Sequence, residues 1–248
     1  MDHLTISSGT VRSACQILND ASLVVYFPFS TTDSFNDYGV NLCHGIGSRV
    51  SIISSGRSGQ AISFQSNNSY FQAPCFPRTR NGDDSFSLSM WINPTSTAGG
   101  SLLHMSTLWS GNGTCYDLLG LTASGDIVLQ WMMSTGSVNY TQGPIVLPNI
   151  WTHIAVVYQW TKGIRLYING QLAGSSSNTG SFYLFSVSGA PLPWYMTFGN
   201  TSPLGSATAT NCPSSSSIVP GAFSGAIDEF RLYNRELDYQ ELCVLANP

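Results

Sequence analysis

WTHIAVVYQWTKGIRLYINGQLAGS, Trp151 to Ser175, is the stretch whose reading decides the fold. Its apolar residues alternate with a period of two, the spacing of a β-strand. In WTHIAVVY, Trp151, His153, Ala155 and Val157 oppose Thr152, Ile154, Val156 and Tyr158. Both faces are apolar, which predicts a strand buried on both sides. IRLYI and QLAGS are joined by Asn169-Gly170, the pair that best tolerates the positive φ angles of a two-residue type I′ turn. The preceding turn, WTKG, uses Gly163 in a similar way. The segment reads as a three-strand meander.

The same period runs outward along the chain. SLVVYFPF (Ser22–Phe29), QAISF (Gln60–Phe64), FSLSMWI (Phe86–Ile92) and DIVLQWM (Asp126–Met132) are short, rich in β-branched and aromatic residues, and bounded by Gly, Ser, Asn or Pro. In FSLSMWI, Phe86, Leu88, Met90 and Ile92 share one face and Ser87, Ser89 and Trp91 the other. Helical signal is confined to DYQELCVL, Asp238 to Leu245, where Asp238 and Glu241 have capping-box spacing. SSSNTGS (Ser175–Ser181) and SPLGSATATNCPSSSS (Ser202–Ser217) read as long polar loops inside one domain, and neither a linker nor a repeat divides the chain.

At 248 residues the chain fits a single all-β domain, since sandwiches often run to about 200–250 residues. Apolar residues make up 42% and charged residues only 9%, against about a quarter in ordinary soluble domains. Ser, Thr, Asn, Gln and Gly replace the missing charge. Nine Lys and Arg cannot form the dense basic face that nucleic acid requires. No stretch approaches the roughly 18 apolar residues of a membrane span.

Six cysteines, Cys15, Cys43, Cys75, Cys115, Cys212 and Cys243, are scattered without C-x-x-C pairs or zinc-like His spacing, which predicts disulfides. Four glycosylation sequons begin at Asn67, Asn112, Asn139 and Asn200. Together with the low charge, these features predict an extracellular glycoprotein. The opening residues, MDHLTISSGTVRSACQ, lack the apolar core of a signal peptide. A secreted product would therefore read as a mature form or an excised domain.

Four segments in order resemble one family. The meander carries W-x-H-x-A and Y-x-N-G-x-L. SGRSGQAISFQSNNSYF (Ser55–Phe71), FSLSMWINP (Phe86–Pro94) and FSGAIDEFRLYNRELDYQEL (Phe223–Leu242) match its other strands. The family is the laminin-G-like, concanavalin A-like jelly roll, and the resemblance covers roughly residues 22–245. It implies a two-sheet antiparallel jelly-roll sandwich over residues 22–248, with adjacent terminal strands, loops along one rim and one short C-terminal helix. Residues 1–21 read as an extension packed on or near that domain. The closeness of the termini implies a Cys15–Cys243 bridge. Cys43–Cys75 would flank the early strands, and Cys115–Cys212 would join two rim loops.

The resemblance spans binding modules and enzymes, so function is read from residues. Glycosidases of such folds use paired carboxylates. Here the only Glu residues, Glu229, Glu236 and Glu241, lie in the last strand or its approach to the helix. Asp83-Asp84 sits in turn chemistry and Asp117 stands alone in CYDLLGL. His153 reads as a packed histidine. A non-catalytic domain is expected. By resemblance, Asp228 occupies the position of a structural calcium ligand, with backbone carbonyls near the first strand as the other ligands and Asp37 as the best side-chain candidate in the loop DSFNDYGVN (Asp33–Asn41); the alternative is that Asp228 and Arg231 only satisfy backbone groups and close the sandwich. Aromatic candidates for a glycan platform are Trp109, Trp131, Trp160, Trp194 and Tyr195, with Trp131 expected on the concave face. The expected role is an extracellular recognition or adhesion module for a glycan or an extracellular protein. The rivals are a self-assembling structural subunit of a matrix or filament and, third, a glycoside-active enzyme.

Overall fold

The Asn169-Gly170 turn forms as its chemistry requires, with φ of 50° and 77° at the two positions, and it pairs Ile168 with Gln171. The computed structural model describes residues 22–30, 35–76, 85–132, 137–176, 194–203, 212–215 and 217–247. The extension at 1–21, with Cys15, lies outside the described residues, as does Asp83-Asp84.

Strands are numbered in chain order. The first sheet runs β13 (Gln171–Ser176), β12 (Gly163–Ile168), β11 (Thr152–Gln159), β6 (Phe86–Pro94), β15 (Gly225–Tyr233), β4 (Ala61–Phe64) and β3 (Val50–Ile53). β1 (Leu23–Phe27) also pairs with β15, so the terminal strands are adjacent as expected. The second sheet runs β10 (Val138–Ile145), β9 (Asp126–Met132), β8 (Cys115–Leu121), β7 (Gly100–Ser106), β14 (Trp194–Phe198), β5 (Tyr70–Phe76) and β2 (Ile46–Ser48). All of these pairings are antiparallel. The chain is an all-β, concanavalin A-like jelly-roll sandwich.

The two sheets bury one face each against the other. Phe86, Leu88, Met90 and Ile92 of β6 point into this core, while Ser87, Ser89 and Trp91 point away. Aromatic rings join the layers: Phe198 of the second sheet meets Phe230 of the first edge to face at 4.7 Å, and Phe27 meets Phe71 at 5.0 Å. The outer face of the first sheet is closed by α1 (Tyr239–Ala246), which lays Leu242 and Leu245 over Ala155, Val157, Tyr167 and Tyr233. Asp238 caps this helix by accepting from the Glu241 amide, and the Glu241 side chain accepts from the Asp238 amide in return.

Candidate functional site

Antiparallel pairing gathers the loops at one end. Phe76 ends β5 opposite Trp194, which begins β14; Tyr195 pairs with Ser106 at the end of β7, and Ser106 with Cys115 at the start of β8. Met132 and Val138 meet at the same end. In the first sheet, Phe86 pairs with Tyr158 just before the turn that holds Trp160. Phe76 and Phe86 touch at 5.5 Å between the sheets, so both sheets contribute to one rim.

On the outer face of the second sheet a single cross-strand row runs Ile46, Gln72, Thr197, His104 and Asp117. Four of the five are polar. They hold each other and the loop after β7. The Gln72 amide donates to Thr197 Oγ1 at 2.9 Å and to the Trp109 carbonyl at 2.9 Å. His104 Nδ1 lies 2.9 Å from Asp117 Oδ1, and its Nε2 lies 2.9 Å from the Gly111 carbonyl. Ser106 Oγ donates to the Leu108 carbonyl, and Ser202 Oγ to the Ser110 carbonyl at 3.1 Å. Four consecutive carbonyls, 108 to 111, are therefore each held by a side chain from the sandwich. Gly111 must be glycine: its φ is 85°, and a Cβ would stand 2.4 Å from the Thr201 carbonyl. This anchored loop turns Leu108 and Trp109 outward, 51% and 56% exposed. The arrangement presents an exposed indole on a hydrogen-bonded loop.

The aromatic candidates fare differently. Trp109 is exposed at the rim, Tyr195 is half-buried on the outer face one row nearer the rim than Thr197, and Trp160 is half-buried in its turn. Trp194 begins β14 at the same rim, and its side chain lies outside the described residues. Trp131 corrects the expectation. It shares parity with Ile127 and Leu129 and lies 2% exposed between the sheets; Val128 and Gln130 face outward instead. Sequence reading missed Gln72, His104 and Ser202. The signal for His104 and Asp117 was a single polar group inside each of two strongly apolar strands, GSLLHMS and CYDLLGL, which a buried strand tolerates only when partnered.

The carboxylates expected to hold calcium are engaged by backbone N–H groups. Asp37 Oδ1 accepts from the Tyr26 and Gly39 amides, both at 2.7 Å, and Oδ2 from the Cys43 amide at 2.9 Å. Asp228 Oδ2 accepts from Ser58 N at 3.0 Å and Oδ1 from Glu229 N at 2.8 Å. Burial pushes the Asp228 carboxyl up to about 7. Calcium requires six to eight oxygen ligands, and among the described residues neither Asp joins a cluster of three or more potential ligands. Both carboxylates serve backbone N–H groups, the alternative to a calcium role. The one such cluster, His104 with Cys115 and Cys212, has its two sulfurs joined in a disulfide.

The three Glu residues are also spoken for. Glu229 pairs with Arg231 and accepts from the Tyr26 hydroxyl, Glu236 pairs with Lys162 and Arg165, and Glu241 pairs with Arg235. His153 is buried beside Trp91 on the outer face of the first sheet; burial, then the charges of Arg231 and Arg57, push its imidazole down to about 3. It is a packed neutral histidine.

Cys115 and Cys212 form the expected bridge. Cys43 is disulfide-bonded, and the side chain of Cys75, its expected partner, lies outside the described residues. Cys243 corrects the third pair. It is a free thiol on α1, with Sγ turned toward the Asn169-Gly170 turn and 3.8 Å from where a Gly170 Cβ would stand. The helix docks that side chain onto the first sheet, so the Cys15–Cys243 bridge is not formed.

Asn67 is exposed, Asn112 is half-buried on the Trp109 loop, and Asn139 is half-buried in β10. Asn200 corrects its expectation: it is 1% exposed, and its amide nitrogen donates to the Asn67 carbonyl at 2.9 Å. A glycan on that nitrogen would break the contact. Glycopeptide mass spectrometry of material secreted from eukaryotic cells is expected to find sugar on Asn67 and none on Asn200; a modified Asn200 would refute the assignment.

A family model described as the concanavalin A-like lectin/glucanases superfamily matches residues 65–243. No curated protein matches the chain. Among solved structures, the botulinum neurotoxin serotype D ligand-binding domain in complex with N-acetylneuraminic acid is similar at 12% identity and a TM-score of 0.64, covering 94% of this chain and 52% of that one. The binding domain of Paraclostridial mosquitocidal protein 1 is similar at 18% identity and a TM-score of 0.62, covering 91% and 52%. The botulinum neurotoxin serotype G binding domain is similar at 15% identity and a TM-score of 0.59, covering 90% and 50%. The chain spans about half the length of these domains, and at such identities the likeness is one of fold.

Proposed function

Because the chain belongs to the concanavalin A-like lectin/glucanases superfamily, we propose that it is an extracellular, non-catalytic recognition module that binds glycan at the rim of its second sheet. The observation that carries this reading is the Trp109 platform. A large apolar ring is held in water by a loop whose four successive carbonyls are tied down. The apolar face of a sugar ring stacks on such an indole, and a loop ordered in advance avoids the entropy cost of ordering on binding. Polar groups stand nearby to orient hydroxyls, Gln72 half-exposed among them. The pairing of all three Glu residues with basic side chains supports a non-catalytic role. Similar toxin domains are binding domains, one of them crystallised with N-acetylneuraminic acid, which makes sialylated glycans the first class to screen.

The test is a glycan array, with sialylated and neutral sets, read for wild type and Trp109→Ala. Wild type is expected to bind, and the variant to lose roughly tenfold or more in affinity with an unchanged melting temperature. Equal binding by both would move the site elsewhere, and no binding by wild type would end the glycan reading. The rival, a self-assembling extracellular subunit, is favoured by one observation: Tyr38, Val40, Leu42 and Ile46 all expose large apolar side chains. Concentration-dependent polymers in sedimentation velocity would support it; a monomer at all concentrations would not.

A further inference from the structure

Among the four side chains that hold the carbonyls of 108–111, only that of His104 changes its hydrogen-bonding capacity with pH, and Asp117 shares its proton. Gly111 offers it a carbonyl oxygen, which only accepts, and Asp117 offers a carboxylate, which when ionised also only accepts. Both contacts are 2.9 Å, and His104 is fully buried with Asp117 at 7% exposure. A neutral imidazole has one N–H and one bare nitrogen. It cannot donate in both directions. The two bonds are complete only when the His104–Asp117 pair holds one further proton: as imidazolium beside carboxylate, or as neutral imidazole accepting from a carboxyl O–H while Nε2–H reaches Gly111.

Loss of that proton has a directed effect. The carboxylate retains the Nδ1 hydrogen, because a charged acceptor outcompetes a neutral carbonyl. The bare Nε2 is left against the Gly111 oxygen, lone pair to lone pair. The loop end of the pair is the one that fails. The groups around His104 do not supply a substitute: Thr197 is its neutral neighbour on β14, Asp117 is the charged group facing it from β8, and Cys115 and Cys212 are joined as a disulfide. We infer that the His104–Asp117 pair positions the Trp109 loop and makes it a proton-dependent clasp, closed at low pH and loosened as the pH rises. This rests on the proposed platform, and it means that glycan is held more tightly in acid and released toward alkaline pH.

The test reads the loop itself and needs no ligand. In the full chain, long-range proton–nitrogen NMR follows the two ring nitrogens of His104 against pH. Hydrogen exchange follows the amides of 108–114, normalised to the Asn169-Gly170 turn to remove the intrinsic pH dependence. Loop protection is expected to fall roughly tenfold, the loss of one hydrogen bond, at the same pH where the imidazole proton is lost. Asp117→Asn is the decisive variant. Its side-chain N–H donates to Nδ1, so neutral His104 keeps Nε2–H for Gly111; its carbonyl, after a flip, accepts from the protonated ring. Protection in Asp117→Asn is therefore expected to be independent of pH. A bare Nε2 beside a fully protected loop in wild type would overturn the inference, as would an Asp117→Asn loop that follows the wild-type profile. A failed glycan array with coincident NMR and exchange midpoints would leave the clasp standing and remove only the glycan reading.

Discussion

Replacing Cys115 and Cys212 together by serine is expected to lower the unfolding free energy by about 4 kcal/mol. The two residues are 97 apart in sequence. Cross-linking a loop of about 100 residues removes enough freedom from the unfolded chain to account for roughly 4.7 kcal/mol, and native bridges in secreted domains typically contribute about 2–5. The loss has a structural side as well. The bridge fixes the segment after Cys212 on the outer face of the second sheet, where Ser215 donates to Gln130 Oε1 from both its amide and its hydroxyl. Without the bridge those bonds must retain the segment alone. Urea unfolding of wild type and the double variant measures the difference. The variant is cleaner than a reductant, which would also open the bridge of Cys43. A difference under about 1 kcal/mol would mean that the unfolded chain is already compact around this loop, and the entropic account would fail.

That bridge was expected by elimination from a set that included the unformed Cys15–Cys243 pair, so its appearance does not validate that route, whereas the strands were legible because their period is two. The Asn169-Gly170 turn and the split of Phe86, Leu88, Met90 and Ile92 from Ser87, Ser89 and Trp91 carry over unchanged. The inward place of Trp131 was legible in DIVLQWM, where Ile127, Leu129 and Trp131 form the wholly apolar parity against Asp126, Val128, Gln130 and Met132; its reading as a surface ring set aside that alternation. The pairing of His104 with Asp117, an acid that reads as isolated in the sequence, is hidden for a tertiary reason. The register of β7 with β8 shifts twice, between Ser101 and Leu103 and again between Leu103 and His104, so their juxtaposition cannot be counted from spacing. Asp37 and Asp228 stand out in the sequence as important acids, and for Asp228 both a calcium and a set of backbone groups are readable as its partner. A carboxylate gathers backbone N–H groups as readily as a metal, and only coordinates tell the two apart.

For Asp228 the difference has a measurable sign. Burial raises its carboxyl from 3.8 to about 7, against the lowering effect of the amides of Ser58, Glu229 and Arg57 and with a further push from the charge of Glu229. A group whose folded value is raised binds more protons folded than unfolded between those two values. Its contribution is fully present below about pH 4, declines as the pH rises, and is lost by about pH 7, a swing of roughly 4 kcal/mol. Asp228→Asn has no proton to lose. It suffers a constant penalty, since its amide nitrogen must face a backbone N–H that the carboxylate accepted. The unfolding free energy of the variant minus that of wild type, measured in urea at a series of pH values, is therefore expected to shift in favour of the variant between pH 4 and 7 and to level off above. The subtraction removes the titrating groups that do not interact with Asp228, and leaves its coupling to Glu229 in the difference. A bound calcium gives the opposite slope, because a metal favours the ionised carboxylate and stabilises the wild type as the pH rises. A difference that moves toward the wild type above pH 5, together with a wild-type melting temperature lowered by EDTA, would reinstate the metal and remove the backbone clasp as the role of Asp228.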